Sequence, residues 1–294
     1  MKYVLKKASA IGLLLAMALC IGTPAFAGND AENETYAEVS YYSSENEIDI
    51  LRESNTQVND FFLQLEDANP NLELVGVVVK SMYMEESYDE NGIVTECNFL
   101  TNKEVEEAIN PLSGQSFVGD DYTTRGKLTI TLAVYKDGDY YRLMGGSSWS
   151  GRDNSNPEGS PAAGRDYIAI SWGGGGNLQC LVAPQMYGSY SDNSSIVFSN
   201  TFRNESTGYC WDFYEEQGGK YAKDMHVYAS VKKINTENLG EETSAKLTYI
   251  HSYNTSNLSI NGFYIGSRFV APSLVISGSS DCVRSEIDVP NITY

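Results

Sequence analysis

Between Lys127 and Lys136 the apolar residues Leu128, Ile130, Leu132 and Val134 fall at every second position. Side chains two apart share one face of a strand, so this alternation predicts a strand with one buried face. Asp137-Gly138-Asp139 then reads as a turn and Tyr140 to Leu143 as the returning strand. Leu72 to Tyr88 and Ile93 to Leu100 form a second predicted hairpin, joined through Asp89-Glu90-Asn91-Gly92, where Asn-Gly favours a tight turn. Tyr167 to Trp172 predicts a further strand that runs into Gly173-Gly174-Gly175-Gly176. Val227, Ala229 and Val231 alternate in another, as do Leu247 and Tyr249.

Helical spacing is read only in the N-terminal half. Val58, Phe61, Phe62 and Leu65 recur at i, i+3, i+4 and i+7, behind a capping-box pattern of Ser54 and Gln57 and ahead of Pro70. The segment 54–70 is therefore read as a helix packing on the domain that follows. A second short helix is predicted between Asn102 and Asn110, with Glu104, Glu106 and Glu107 suited to its N-terminal half and Pro111 as its stop. Many β-branched and aromatic residues with closely spaced turns predict a mainly β fold: an antiparallel β-sandwich over residues 71–294 with one or two short N-terminal helices. Two small β domains are the alternative, but no linker-like composition separates them.

The first 27 residues change the picture. Lys2, Lys6 and Lys7 precede the apolar run Ala8 to Gly22, and Pro24 leads to Ala25-Phe26-Ala27. This is the three-zone order of a signal peptide, with cleavage expected between Ala27 and Gly28. The run is shorter than the ~20 apolar residues that span a bilayer. Cys20 invites a lipoprotein reading, but Leu19 before it is too large for a lipidation signal. Removing residues 1–27 takes three lysines and no acid, moving the formal charge from −19 to −22. The expected product is secreted and soluble, with no membrane association after cleavage. Residues 28–53 hold eight acids and one base, Arg52, with few large apolar residues, and are read as an acidic mobile arm or a propeptide.

Three segments carry a resemblance: Thr129 to Trp149 (TITLAVYKDGDYYRLMGGSSW), Gly164 to Gly174 (GRDYIAISWGG) and Val227 to Phe263 (VYASVKK…YIHSYNTSNLSINGF). In spacing and residue type the second half of the chain resembles exported proteins of unknown function from Gram-positive bacteria. The resemblance implies export and a β fold and carries no activity.

Charge narrows the partners. A nucleic-acid-binding surface needs clustered Lys and Arg to neutralise phosphates, and this chain has the opposite field. A Gram-positive wall is itself polyanionic, so the protein is expected to be freely secreted and monomeric. Cys97, Cys180, Cys210 and Cys282 remain after cleavage. An exported chain with four cysteines admits disulfides, in three connectivities the sequence does not choose between. Free buried thiols fit a chain of this length equally well.

Common hydrolytic constellations are absent from the sequence. It has two histidines, His226 and His251, no G-x-S-x-G elbow and no H-E-x-x-H. His226 shares a polar-leaning strand face with Ser230 and Lys232, and His251 follows Leu247 and Tyr249; each reads as structural. The tetraglycine lacks the Lys-Ser/Thr of a phosphate loop and reads as a flexible connection. No cofactor is expected. Calcium is the weaker alternative, on Asp120-Asp121, on Asp137-Gly138-Asp139 or on Asp153-Asn154-Ser155-Asn156. None of these is an EF-hand loop, and Asp-Gly-Asp is explained as a turn.

Tyr209, Trp211 and Phe213 fall at i, i+2 and i+4, a three-ring stripe on one strand face. Exposed, they form a candidate ligand-binding platform for stacking on sugar rings; buried, they are core, the favoured reading. Trp149 and Trp172, each after a serine and beside glycines, form a second ambiguous set. The sequence thus predicts a non-enzymatic extracellular binding module, with carbohydrate as the candidate ligand. The alternative is a secreted glycoside hydrolase using a carboxylate pair, which needs no histidine. A third reading is a structural component of a spore, envelope or matrix.

Overall fold

The computed structural model describes residues 35–42, 72–90, 94–109, 123–150, 165–215, 217–218, 220–235, 240–253, 258–278 and 281–294. The signal segment with its Ala27–Gly28 junction and the helix expected over 54–70 lie outside these residues. So do the calcium candidates Asp120-Asp121 and Asp153 to Asn156.

The first half of the chain forms β1 (Glu38–Tyr42), β2 (Glu73–Tyr88), β3 (Val94–Phe99), α1 (Asn102–Ile109), β4 (Thr123–Asp137), β5 (Tyr140–Ser150) and β6 (Asp166–Trp172). The second half adds β7 (Leu178–Gln179), β8 (Gln185–Tyr190), β9 (Ser199–Asn204), β10 (Gly208–Phe213) and β11 (Ala222–Lys233). It closes with β12 (Glu242–Ser252), β13 (Ser259–Tyr264), β14 (Ser273–Ser277) and β15 (Cys282–Thr293). An eight-stranded sheet runs β1-β2-β4-β5-β11-β7, with β3 on β2 and β8 on β11. A five-stranded sheet runs β15-β12-β6-β10-β9, and β13 and β14 pair as a hairpin. The pairings are antiparallel.

The two sheets face each other, with β15 against β2 and β4 and β12 against β4 and β5. Leu128, Ile130, Leu132 and Val134, the alternating set of β4, all lie fully buried in the core between the sheets. The small sheet supplies Ile168, Ile170, Leu247, Tyr249, Ile287 and Val289 to the same core. Alternation thus sorts each strand into an inward apolar row, the arrangement expected of a sandwich. On the outer face of the small sheet, Tyr167, Ala169, Cys210 and Ile250 pack under Leu274 with Ile260, Phe263 and Ile276, so the β13–β14 hairpin covers it.

One expectation changes, and the turn expected at Asp137-Gly138-Asp139 is found. Residues 38–42, within the acidic stretch read as an arm, form an edge strand paired with Val77–Ser81. Their alternation of Val39 and Tyr41 with polar residues suffices for an edge position even in an acidic context. The Asp-Gly-Asp candidate for calcium is a hairpin turn: Gly138 takes a φ of 60°, and the Asp137 carboxylate is held by Arg142 at 2.7 Å. Helix α1 falls where expected, with Thr101 as its cap. The Thr101 amide donates to Glu104 Oε2 at 2.7 Å, and the Glu104 amide donates to Thr101 Oγ1 at 3.4 Å. Among the described residues, no helix is long and apolar enough to cross a membrane.

Candidate functional site

Four ionisable residues meet inside the sandwich, each in phase with an inward apolar row. His251 continues the face of Leu247 and Tyr249 on β12, and Glu86 continues the face of Met82 and Met84 on β2. Asp166 opens β6 in phase with Ile168 and Ile170, and it pairs in register with Phe213 of β10. Glu215 lies two residues beyond Phe213 on the same side. The register of β12 with β6 places Ile250 opposite Tyr167, which brings His251 beside Asp166.

The imidazole of His251 is enclosed by carboxylates. Its Nε2 lies 2.8 Å from Glu86 Oε1, and its Nδ1 lies 3.1 Å from Asp166 Oδ2 and 3.0 Å from Glu215 Oε2. Exposure is 0% for His251, 1% for Asp166 and 3% for both Glu86 and Glu215. The Tyr249 hydroxyl donates to Asp166 Oδ2 at 2.6 Å, and the Ser252 amide donates to Asp166 Oδ1 at 2.9 Å. Trp149 Nε1 donates to the Tyr249 oxygen at 3.3 Å, and its ring meets that of His251 edge-on at 6.2 Å. Both oxygens of Asp166 are thus fixed by neighbours.

Electrostatics follow from this crowding. Burial disfavours the imidazolium, but Glu215 and Asp166 together outweigh it and hold His251 well above its ordinary value. Burial pushes Asp166 up, and repulsion from Glu215 adds to the effect while His251 opposes it. Burial also raises the Cys97 thiol, which sits beside His251. Three ionised carboxylates around one imidazolium would leave a buried charge of about −2, a large cost unless protons or a cation are taken up. Two sets of donors converge here, Glu86–Cys97–His251 and Asp166–Glu215–His251, and the atoms of each set lie within 4.8 Å of one another.

A second feature lies at the other end of β6, about 20 Å away at some 3.3 Å per residue. There a cleft of about 260 Å³ opens beside Trp172, with Gly173, Gly175 and Gly176 as one wall. Asn204, Ser206 and Thr207, from the β9–β10 turn, form another. Ile265, Ser267 and Pro272, from the β13–β14 connection, form the third. The glycines are needed for close approach: a Cβ on Gly173 would lie 1.9 Å from Thr243 Oγ1. Gly174, at a φ of 104°, donates its amide to the Arg268 carbonyl at 2.8 Å and ties two walls together.

Among the described residues, the cleft wall carries hydroxyl, amide and backbone groups with apolar Trp172, Ile265 and Pro272, and no carboxylate. Apolar side chains are exposed at the end of β13 and in the same connection: Tyr264 at 68%, Ile265 at 54%, Phe269 at 52% and Val270 at 52%. The Tyr264 ring lies against Gly266, between the lining residues Ile265 and Ser267, and the Phe269 amide donates to Ser267 Oγ at 3.2 Å.

The sequence candidates fall differently. Tyr209, Trp211 and Phe213 are 0%, 5% and 1% exposed and lie in the core between the sheets. Tyr209 and Trp211 stack at 5.9 Å, and Phe213 packs on Phe198. The strand bearing them lies between β6 and β9, its inward face covered by the large sheet, so the platform reading gives way to core. Trp149 and Trp172 are buried too. Cys97, Cys180, Cys210 and Cys282 are free thiols. His226, on β11, stacks on Tyr187 at 5.0 Å, and burial lowers it to about 4. The buried cluster and the cleft were both missed. The signal for the first was a charged residue in phase with an inward row, present on β2, β6 and β12 and two residues beyond the end of β10.

No protein-family model matches the chain, and no curated protein matches it. Among solved structures, it is similar to one described under "pH-induced modulation of Streptococcus parasanguinis adhesion by Fap1 fimbriae", at 10% identity over 56% of this chain and 80% of that one, with a TM-score of 0.25. It is also similar to the collagen adhesin (CNA) from S. aureus, at 9% identity over 72% of this chain and 89% of that one, with a TM-score of 0.26. Likeness at this level assigns neither a family nor a partner to the chain.

Proposed function

We propose that the protein is a secreted, non-enzymatic binding module that takes a neutral glycan segment in the cleft at the glycine-rich end of the small sheet. One observation carries this reading: in a chain of net charge −19, the cleft is lined by Asn204, Ser206, Thr207, Ser267 and glycine backbone together with Trp172, Ile265 and Pro272, and the exposed Tyr264 and Phe269 lie within two residues of Ile265 and Ser267 along the chain. Sugars present many hydroxyls and apolar ring faces without charge. They are matched by uncharged donors and acceptors with an aromatic surface beside them. The signal segment expected at residues 1–27 supports an extracellular setting for such a ligand.

Glycoside hydrolysis needs two carboxylates flanking the bond to be cleaved. The neutral lining favours retention of a sugar over its cleavage, and Asp166, Glu215 and Glu86 are core residues.

A glycan array probed with residues 28–294 tests the reading, alongside the Tyr264→Ala and Phe269→Ala variants. Binding to uncharged oligosaccharides is expected. Each variant should weaken it roughly 2- to 10-fold, on about 0.5–1.5 kcal/mol per aromatic contact. Absence of binding across the array, or binding that both variants leave intact, would overturn it.

A further inference from the structure

We propose that the sandwich core holds one zinc ion on His251 Nε2, Glu86 Oε1 and Cys97 Sγ, a structural centre that joins the two sheets. The strand registers build it. Glu86 of β2 and Cys97 of β3 are direct cross-strand partners in the large sheet. Opposed residues hold their Cβ atoms roughly 4.5–5.5 Å apart on one face, so this hairpin offers a carboxylate and a thiol side by side. His251 of β12 meets them from the small sheet, with Nε2 2.8 Å from Glu86 Oε1. One ligand atom of each residue lies within 4.8 Å of the other two.

The two ring nitrogens have different roles. Nδ1 donates to Asp166 Oδ2 at 3.1 Å, and that carboxylate is itself held by the Tyr249 hydroxyl and the Ser252 amide. Nε2 is buried and makes no hydrogen bond among the described residues, although a carboxylate oxygen stands 2.8 Å away. The distance is that of an ion pair, but the direction does not let an N–H reach the oxygen. A metal-ligating histidine has this arrangement: one nitrogen donates to a carboxylate, which fixes the ring, and the other presents its lone pair to the ion. Rings hold the imidazole as well, Tyr253 stacking on it at 6.4 Å and Trp149 meeting it edge-on at 6.2 Å.

Donor type and charge select the ion. One thiolate, one imidazole nitrogen and one carboxylate oxygen form a mixed soft and hard set that zinc accepts. Tetrahedral bonds of about 2.0–2.3 Å place neighbouring donors roughly 3.3–3.7 Å apart, so Nε2 and Oε1 separate by about 0.5 Å on binding. A water or the second Glu86 oxygen completes the four positions. With His251 neutral, the Glu86 carboxylate and the Cys97 thiolate sum to about −2, which the ion cancels. Binding releases the protons of the Cys97 thiol and of Nε2 to solvent. The ligands are 0–3% exposed, which makes the centre structural.

The test is to refold residues 28–294 in cobalt(II) under a phosphine reductant, desalt, count the metal and record its spectrum. One cobalt per chain is expected, with a thiolate-to-cobalt charge-transfer band and a higher melting temperature than the metal-stripped chain. Cys97→Ser should remove the band, whereas Cys210→Ser and Cys282→Ser should keep it. Asp166→Asn should weaken cobalt affinity about 10- to 100-fold while the band persists. No retained metal, metal without the band, or a band that survives Cys97→Ser would overturn the proposal. The wild-type count and spectrum decide the matter even if a variant fails to fold.

Discussion

His251 on the small sheet and Glu86 on the large sheet meet at 2.8 Å inside the sandwich, an ion pair that crosses the core. Removing the imidazole leaves Glu86, Asp166 and Glu215 facing one another without their central partner. Breaking a buried pair from one side costs about 3–5 kcal/mol. His251→Leu is therefore expected to lower the unfolding free energy by that amount in urea denaturation. A loss below about 1 kcal/mol would mean the cluster contributes little to the fold.

The aromatic stripe should behave as core. Phe213→Ala and Trp211→Ala remove large rings at 1% and 5% exposure, and such truncations cost about 3–5 kcal/mol. Thermal unfolding measures the loss. A folded Trp211→Ala chain of near wild-type stability would contradict this placement.

His226 gives the protein a pH response. Its folded-state value, about 4, lies below the ordinary 6.5 because burial against Tyr187 penalises the charged ring. The unfolded chain then binds the extra proton first. This residue's contribution rises as pH climbs from about 4 to 6.5 and is constant above that. Urea midpoints of wild type and His226→Gln across pH 4 to 7 should converge toward the acid end. Parallel curves would contradict the assignment.

Gly173→Ala tests the cleft wall. The added methyl would lie 1.9 Å from Thr243 Oγ1 and 2.9 Å from the Val270 carbonyl, so backbone must move. We expect a loss of about 1–3 kcal/mol, as for overpacked sites, together with weakened glycan binding. Unchanged stability measured by calorimetry would show that the β13–β14 connection yields easily.

Much of the strand framework was legible because alternation is a local signal. Leu128, Ile130, Leu132 and Val134 announce β4 without reference to any other segment. Strand β15, which carries Pro290 and ends in Asn291-Ile292-Thr293, was not legible as a strand, yet it pairs along β12 from Ser252 to Glu242. Its pairing comes from a partner distant in sequence. The cleft has the same origin: Gly173 to Gly176, Asn204 to Thr207 and Ile265 to Pro272 share no signal in the sequence until the sheet brings them together. The histidine cluster was half visible. His251 stood in phase with Leu247 and Tyr249, but its isolation in sequence made it look structural. Only the registers of β12 on β6 and of β10 on β6 bring Asp166 and Glu215 to it.

The binding claim is tested most directly by amide chemical-shift mapping of residues 28–294 titrated with an uncharged oligosaccharide. The account predicts saturable shifts confined to Gly173–Gly176, Asn204–Thr207 and Ile265–Pro272, with the amides of Tyr209, Trp211 and Phe213 unmoved. Shifts centred elsewhere on the sandwich, or none at saturating sugar, would contradict it.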